Sequence, residues 1–308
     1  MIQDQAGCPA CESLSVECLG DIAPSRAFAG GMLDRELSGH SLWLCADCFL
    51  QFRYPRPDIA ELNALYRLGN SENWASPASQ RTDWKLIREW LVKTDRVTRV
   101  LDIGCFDGRL LEYLGSEYEW FGVEINQEAG EVASTRGVRI VGNDFCKLSP
   151  LVPPMDVVLA VDVIEHSYDP KLFLRSLASL VRPGGYVIVS TGNAEAFTWK
   201  LMGSRYWYCH IAEHMSFLSP KWLRKIAPEL KLGIERIDYF SHGGGAPMRR
   251  VYEASGNLLL RFAPWVFSLF RKLGMGGMDV RRYPNLSTVP PYWLTAKDHM
   301  LAVLKRTL

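Results

Sequence analysis

Between residues 96 and 240 the apolar positions repeat in two alternating patterns. Residues 97–103 place Val97, Val100, Leu101 and Ile103 in one short β-branched run, the pattern of a strand buried on both faces of a parallel sheet. Leu110, Leu111 and Leu114 then fall at helical spacing, which predicts a helix from near Asp107 whose N-terminus faces the end of that strand. Further strands are predicted at residues 120–125, 138–141, 156–161 and 186–190, with 181–185 closing a helix just before the last of these. Residues 232–240 alternate as a sixth strand, and residues 300–304 supply a last one. Upstream, Ile59, Leu62, Leu65 and Tyr66 predict a helix from Asp58, and residues 70–80 a polar loop. Trp84, Leu86, Ile87 and residues 90–92 predict a second helix leading into the first strand.

The turn at 104–108 is the chemically informative stretch. Gly104 and Gly108 permit positive φ and let a ligand lie against bare backbone. A dinucleotide site would need G-x-G-x-x-G to seat a pyrophosphate on the helix dipole. Phe106 and Arg109 stand where the second and third glycines should be, and Asp102 just ahead would repel a pyrophosphate. That acid suits a ligand carrying an ammonium and a sulfonium instead.

These residues resemble the class I S-adenosylmethionine-dependent methyltransferases, whose first motif is an acid followed by a glycine turn, as in Leu101-Asp102-Ile103-Gly104-Cys105. The resemblance continues in order through Glu124 at the end of the second strand, Asn143-Asp144-Phe145, Asp162-Val163-Ile164-Glu165-His166 and Val181-Arg182-Pro183-Gly184-Gly185. Gly192 departs from the pattern, since many relatives carry proline there. The resemblance implies a doubly wound, Rossmann-like α/β fold with a seven-stranded sheet, the last strand antiparallel beside the fifth. It also implies a cofactor site at Asp102, Gly104, Cys105, Gly108, Glu124, Ile125, Asp144, Phe145 and Asp162. Glu124 would take the ribose hydroxyls, Asp102 would face the ammonium, and Asp144 would reach the adenine amino group unless it is only a turn acid.

Composition changes the picture at the two ends. The chain has 308 residues, 48% of them apolar, which suggests about two globular domains. A formal net charge of +1 gives no overall footprint for nucleic acid. The first residues have neither a basic n-region nor an apolar h-region, so the expectation is a cytoplasmic protein with reduced thiols. Two of its eight cysteines form Cys8-x-x-Cys11 and two form Cys45-x-x-Cys48, pairs that can aim four thiolates at one tetrahedral ion. Structural zinc is expected, and iron of rubredoxin type could use the same ligands. Cys18, Cys105, Cys146 and Cys209 follow no such spacing and read as core or near-core residues.

From 241 to 308 ten Arg or Lys face three Asp or Glu, and residues 258–273 are largely apolar with Trp265 and Pro264. The run is too short to span a membrane. The favoured reading packs it over the cleft or against a second subunit. The alternative lays it peripherally on an anionic inner membrane face. The division expected is a zinc-binding module (1–57), a helical linker (58–95), a core (96–240), a substrate-cleft insertion (241–297) and the last strand (298–308).

The cysteine pairs, proline-rich exit and helix ahead of the core resemble the N-terminal region of methyltransferases from bacterial deoxysugar and surface-polysaccharide pathways. That resemblance implies a nucleotide-linked sugar or a carrier-linked glycan as acceptor. A lipid or quinone acceptor at a membrane is the alternative. A non-catalytic zinc-ribbon adaptor would lack the ribose acid, and Glu124 is present. Should the acceptor be a hydroxyl, a base would help, and His214 and His166 stand where this fold places the methyl, with His210 in reserve. Alignment alone could also carry the rate.

Overall fold

The computed structural model describes residues 6–28, 31–37, 40–67, 81–144, 152–243, 246–273 and 289–307. The loop expected at 70–80, Phe145 and Cys146 therefore lie outside the described residues. The chain opens with strands β1 (Val16–Ile22), β2 (Ser25–Phe28), β3 (Gly31–Leu37), β4 (His40–Cys45) and β5 (Gln51–Tyr54), then helices α1 (Ile59–Arg67) and α2 (Thr82–Val92). Next come β6 (Arg99–Ile103), α3 (Arg109–Leu114), β7 (Glu119–Val123), α4 (Gln127–Thr135), β8 (Arg139–Gly142), β9 (Met155–Val161), α5 (Pro170–Leu180) and β10 (Val181–Gly192). The remainder is α6 (Phe197–Met202), β11 (Ser216–Phe217), α7 (Pro220–Ile226), β12 (Leu232–Phe240), α8 (Pro247–Phe262), α9 (Pro264–Lys272) and β13 (His299–Arg306).

The predicted strands form a seven-stranded sheet in the order β8-β7-β6-β9-β10-β13-β12, with β13 antiparallel to both neighbours. This is the expected doubly wound, Rossmann-like arrangement. Central β9 is buried along nearly its whole length, as its unbroken apolar run requires. Several strand ends shift by one or two residues, as where β6 begins at Arg99 and not Val97, and two differences are informative. β7 stops at Val123, before Glu124 and Ile125, because Glu124 turns its carboxylate back to local backbone N–H groups. β10 begins at Val181, well ahead of residue 186, with a register break between Val181 and Tyr186. Glycine fits this bulge: a Cβ on Gly185 would lie 2.7 Å from the carbonyl oxygen of Asp156.

The N-terminal strands build a second sheet, β1-β4-β5-β11, whose last strand comes from the segment following β10. Its interior is continuous with the main core: Cys8, Cys45, Leu50 and Phe52 share an apolar cluster with Leu218, Trp222 and Val158. Cys105 and Cys209 are buried as expected, whereas Cys18 is exposed because β1 is an edge strand. The apolar run at 258–273 is split between α8 and α9, with the break at Ala263 ahead of Pro264.

Arg53 on β5 ties the N-terminal sheet to the loop that leads into β11. Its fully buried guanidinium donates from Nε to the carbonyl of His214 (3.0 Å) and from one terminal nitrogen to those of Cys209 (2.6 Å) and Ile211 (2.9 Å). Burial lowers its pKa to about 10, so it stays charged at neutral pH. Arg53→Met would strand these three acceptors. It is expected to lower the unfolding free energy by roughly 3 kcal/mol or more in urea melts, since hydrogen bonds from charged donors are the stronger class; a change under 1 kcal/mol would show that the carbonyls find other donors.

Candidate functional site

At the C-terminal ends of β6, β7 and β9 lies a cavity of about 840 Å³. Asp102, Gly104, Cys105, Glu124, Ile125, Asp144 and Asp162 line it, as do His166 and His214 at another part of its wall. Gly108 does not. Its left-handed conformation (φ 80°) starts α3, and a Cβ there would press on Ala133 of α4, so its role is to let α3 and α4 pack closely. Gly104 (φ 74°) does line the cavity and has no room for a side chain, because a Cβ would sit 2.8 Å from Val163. Lining residues also come from α1, α2 and the segment after α6, and none comes from α8 or α9.

Two buried carboxyls dominate the electrostatics of the strand ends. Glu124 accepts from the backbone N–H of Phe106 through Oε2 and of Asn126 through Oε1, both at 2.8 Å. Each oxygen keeps a second lone pair, so the carboxylate is aimed and still able to accept two more donors. Burial raises its pKa, and these N–H groups oppose the rise. Asp102 is buried too, and its Oδ1 meets no donor among the described residues. Burial, with the charge of Glu124, pushes its pKa well above the ordinary carboxylate range, while Arg81 draws it down. A cationic ligand group would satisfy this orphaned oxygen.

Asp162 sits at the end of β9 with φ 53°, a left-handed conformation that aspartate tolerates better than most residues. Its Oδ2 accepts from Arg81 at 2.7 Å. Burial would raise its pKa, but Arg81, His242 and His299 hold it below the ordinary value. Arg81 also grips Asp83 at the start of α2, so the helix preceding the core is anchored to the site.

The other part of the wall is built from two histidines. His214 Nδ1 lies 3.2 Å from the carbonyl of Tyr208, which can only accept, so Nδ1 carries the proton and Nε2 the free lone pair. His166 Nδ1 pairs with the hydroxyl of Tyr66 at 2.7 Å, and the two imidazoles meet edge to face at 5.0 Å. Burial depresses the pKa of both, for His214 well below 6.5 with help from His166 and Arg53, so both are neutral at pH 7. The Tyr208 hydroxyl donates to Glu165, whose other oxygen accepts from Thr191 at 3.0 Å. Burial and the charge of Asp162 raise Glu165 to about 7. Tyr208 also explains the departure at Gly192, where any Cβ would strike its ring. His210 is not among the lining residues.

Remote from the cavity, Cys8, Cys11, Cys45 and Cys48 converge so that their sulfurs lie within 4.8 Å of one another. Cys8 and Cys48, and Cys11 and Cys45, are each 3.5 Å apart, the spacing expected when tetrahedral thiolates share one ion.

Tyr66, Arg81, Trp84 and Glu213 also line the cavity, although no motif marks them as site residues in the sequence. Tyr66 and Trp84 looked like ordinary apolar helix positions, and Arg81 carried no motif. Glu213 had one signal, its place directly before His214 in the aromatic segment.

A family model described as "Methyltransferase domain" matches residues 78–232, half of the chain. A ubiquinone biosynthesis O-methyltransferase of Bordetella avium is 26% identical over 231 residues, 67% of this chain and 92% of that protein. A protein of the same name from Chromobacterium violaceum is 26% identical over 53% of this chain and 75% of its own. Among solved structures, a SAM-dependent methyltransferase of Archaeoglobus fulgidus has a TM-score of 0.47 and 19% identity, over 80% of this chain and all of that one. No helix among the described residues is long and apolar enough to cross a membrane.

Asp102 offers a test of the site without ligand. Its raised pKa means the folded state holds a proton that the unfolded chain releases at lower pH, so its contribution worsens as pH rises above about 4. Asp102→Asn is therefore expected to be more stable than wild type at pH 8, on the order of 2 kcal/mol, with the gain vanishing near pH 4. Ligand-free thermal melts across that range check it; a pH-independent difference would mean the carboxyl is not held in this state.

Proposed function

Because the chain belongs to the methyltransferase domain family and is a class I S-adenosylmethionine-dependent enzyme, we propose that it methylates a small-molecule acceptor held between the cofactor and the pair His166 and His214. The observation that carries the reading is one cavity joining an aimed carboxylate, an orphaned buried acid and two neutral histidines. The donor set fits the cofactor. Glu124 has two free lone pairs for the ribose hydroxyls, the lone Oδ1 of Asp102 suits the ammonium, and Asp144 is at hand for the adenine. Phe145, assigned to the adenine ring in the same reading, lies outside the described residues. When bound, S-adenosylmethionine supplies a methyl on a sulfonium, already a good leaving group. The protein's contribution is then alignment, exclusion of water and removal of the acceptor's proton. His214 is the base in this reading, since its Nδ1 is committed to Tyr208 and its Nε2 is free to accept. His166, steadied by Tyr66, orients the acceptor or relays the proton.

For the acceptor, the names of the curated relatives favour a ring of the ubiquinone pathway, methylated on oxygen. Neither relative is named for a sugar pathway. A hydroxylated acceptor such as a nucleotide-linked sugar or glycan is the second reading, supported by the hydrogen-bonding wall of Tyr66, His166, Glu213 and His214. Methyl-labelled cofactor offered with catechols and with nucleotide sugars separates the two. His214→Gln is expected to lose about 100-fold or more in turnover at saturating cofactor, and the acid limb of the wild-type profile, lying below pH 6.5, should disappear. Should His214→Gln and His166→Gln both keep near-normal turnover and that limb, the base assignment is wrong.

We also propose structural zinc on Cys8, Cys11, Cys45 and Cys48. Structural zinc binds with roughly 10 kcal/mol or more, so one equivalent is expected in purified protein and its removal should unfold the first sheet. Finding iron would keep the site but change its occupant, and finding no metal would remove the site.

A further inference from the structure

Amphipathic helices of globular proteins normally bury the apolar stripe. Helix α8 buries Leu260 and packs Ala254 and Leu259 on the core, yet leaves most of its large apolar side chains outside. Its protein-facing side holds Glu253 and Asn257, with Leu260 the buried apolar residue. Glu253 is fully committed there: it accepts from the backbone N–H of Thr295 (2.9 Å), the Thr295 hydroxyl (2.7 Å) and Arg249 (2.8 Å). A second anchor is Arg261, which donates to the carbonyl of Leu201 at 2.8 Å. The outward stripe carries Met248, Val251, Leu258 and Phe262 at helical spacing, and Met248 is 79% and Phe262 70% exposed. Past the break at Ala263 the stripe continues on α9, where Trp265 is 73% exposed and Leu269 and Leu273 are also open. So many large apolar side chains on two consecutive helices exceed the scatter of a monomer surface and mark a contact face.

Charge selects the occupant. Residues 246–273 contain Arg249, Arg250, Arg261, Arg271 and Lys272 against the single acid Glu253, which is buried and satisfied. A two-fold contact with a second copy would set this excess positive charge against itself. An anionic bilayer meets both features, taking the aromatic and aliphatic stripe into the acyl boundary and the exposed Arg250 and Lys272 at the headgroups, while Arg271 is buried against the protein. Neither helix is long enough to span, and neither lines the cavity. We propose that α8 and α9 form a peripheral docking face that lies in the plane of an anionic lipid surface. The proposal is independent of which acceptor is methylated.

The test is co-sedimentation of the full chain with vesicles of phosphatidylcholine alone and with added phosphatidylglycerol, alongside sedimentation velocity without lipid. Binding is expected only to the anionic vesicles and should weaken with salt. Arg250→Gln with Lys272→Gln should weaken it by roughly 30-fold, two basic residues' worth. The triple variant Phe262→Ser, Trp265→Ser, Leu269→Ser should abolish binding while keeping the wild-type melting temperature and cofactor affinity. Equal affinity for both vesicle types, or none for either, would overturn the proposal. So would a concentration-dependent dimer that the triple variant makes monomeric, since that assigns the face to a second copy.

Discussion

The hydrogen bond from the Phe106 N–H to Glu124 is the constraint on which the cavity floor depends. It joins the loop after β6 to the end of β7, and a second bond to Asn126 leaves the Glu124 carboxylate a single orientation. The loop can come this close only because Gly104 adopts positive φ with Val163 against its α-carbon. Asn126 in turn caps α4 through the N–H of Ala129, so strand end, turn and helix are mutually fixed. An acid held by two backbone donors is ready for hydroxyl groups before any ligand arrives, and little ordering remains for binding to do.

The histidine wall is held by a different device. The segment from 207 to 217 has for regular structure one 3₁₀ turn (Trp207–His210) and the two residues of β11. It is gripped from below by Arg53, from within by Tyr208 on Glu165, and along its end by the pairing of β11 with β5. Both Arg53 and β5 belong to the sheet that carries the four cysteines. β5 thus follows the turn that holds Cys45 and Cys48 and carries the bonds that fix the backbone around His214.

Ligand-free, this architecture carries a cost. Asp102 is buried with an unsatisfied oxygen beside a second acid, and the charge of Arg81 relieves it without a direct bond among the described residues. Such a carboxyl is destabilising while unpaired, and in the proposed reading a ligand's cationic group would relieve it. Asp162, by contrast, is stabilised directly by Arg81, and holding the acid in a left-handed conformation draws on that ion pair.

The order of strands, the glycine turn, the acids at the strand ends and the paired cysteines were all legible in the sequence. The strands, the turn and the cysteine spacing rest on local rules, namely apolar period, φ freedom and ligand spacing, which operate within a few residues of chain, whereas the acids and the place of the last strand in the sheet were implied by the family resemblance. Leu232–Phe240 matched its predicted bounds even though a register break falls between Ile234 and Arg236, whereas β10 did not, because the bulge ahead of Tyr186 depends on the neighbouring strand. Only the tertiary structure decided which residues meet from distant elements: Tyr66 with His166, Arg81 with Asp162, and Arg53 with the loop of His214. It also decided the orientation of α8, whose apolar stripe any rule of thumb would bury. The docked side was chosen by Glu253 and its bonds to Thr295, a pairing 42 residues apart that no local pattern encodes.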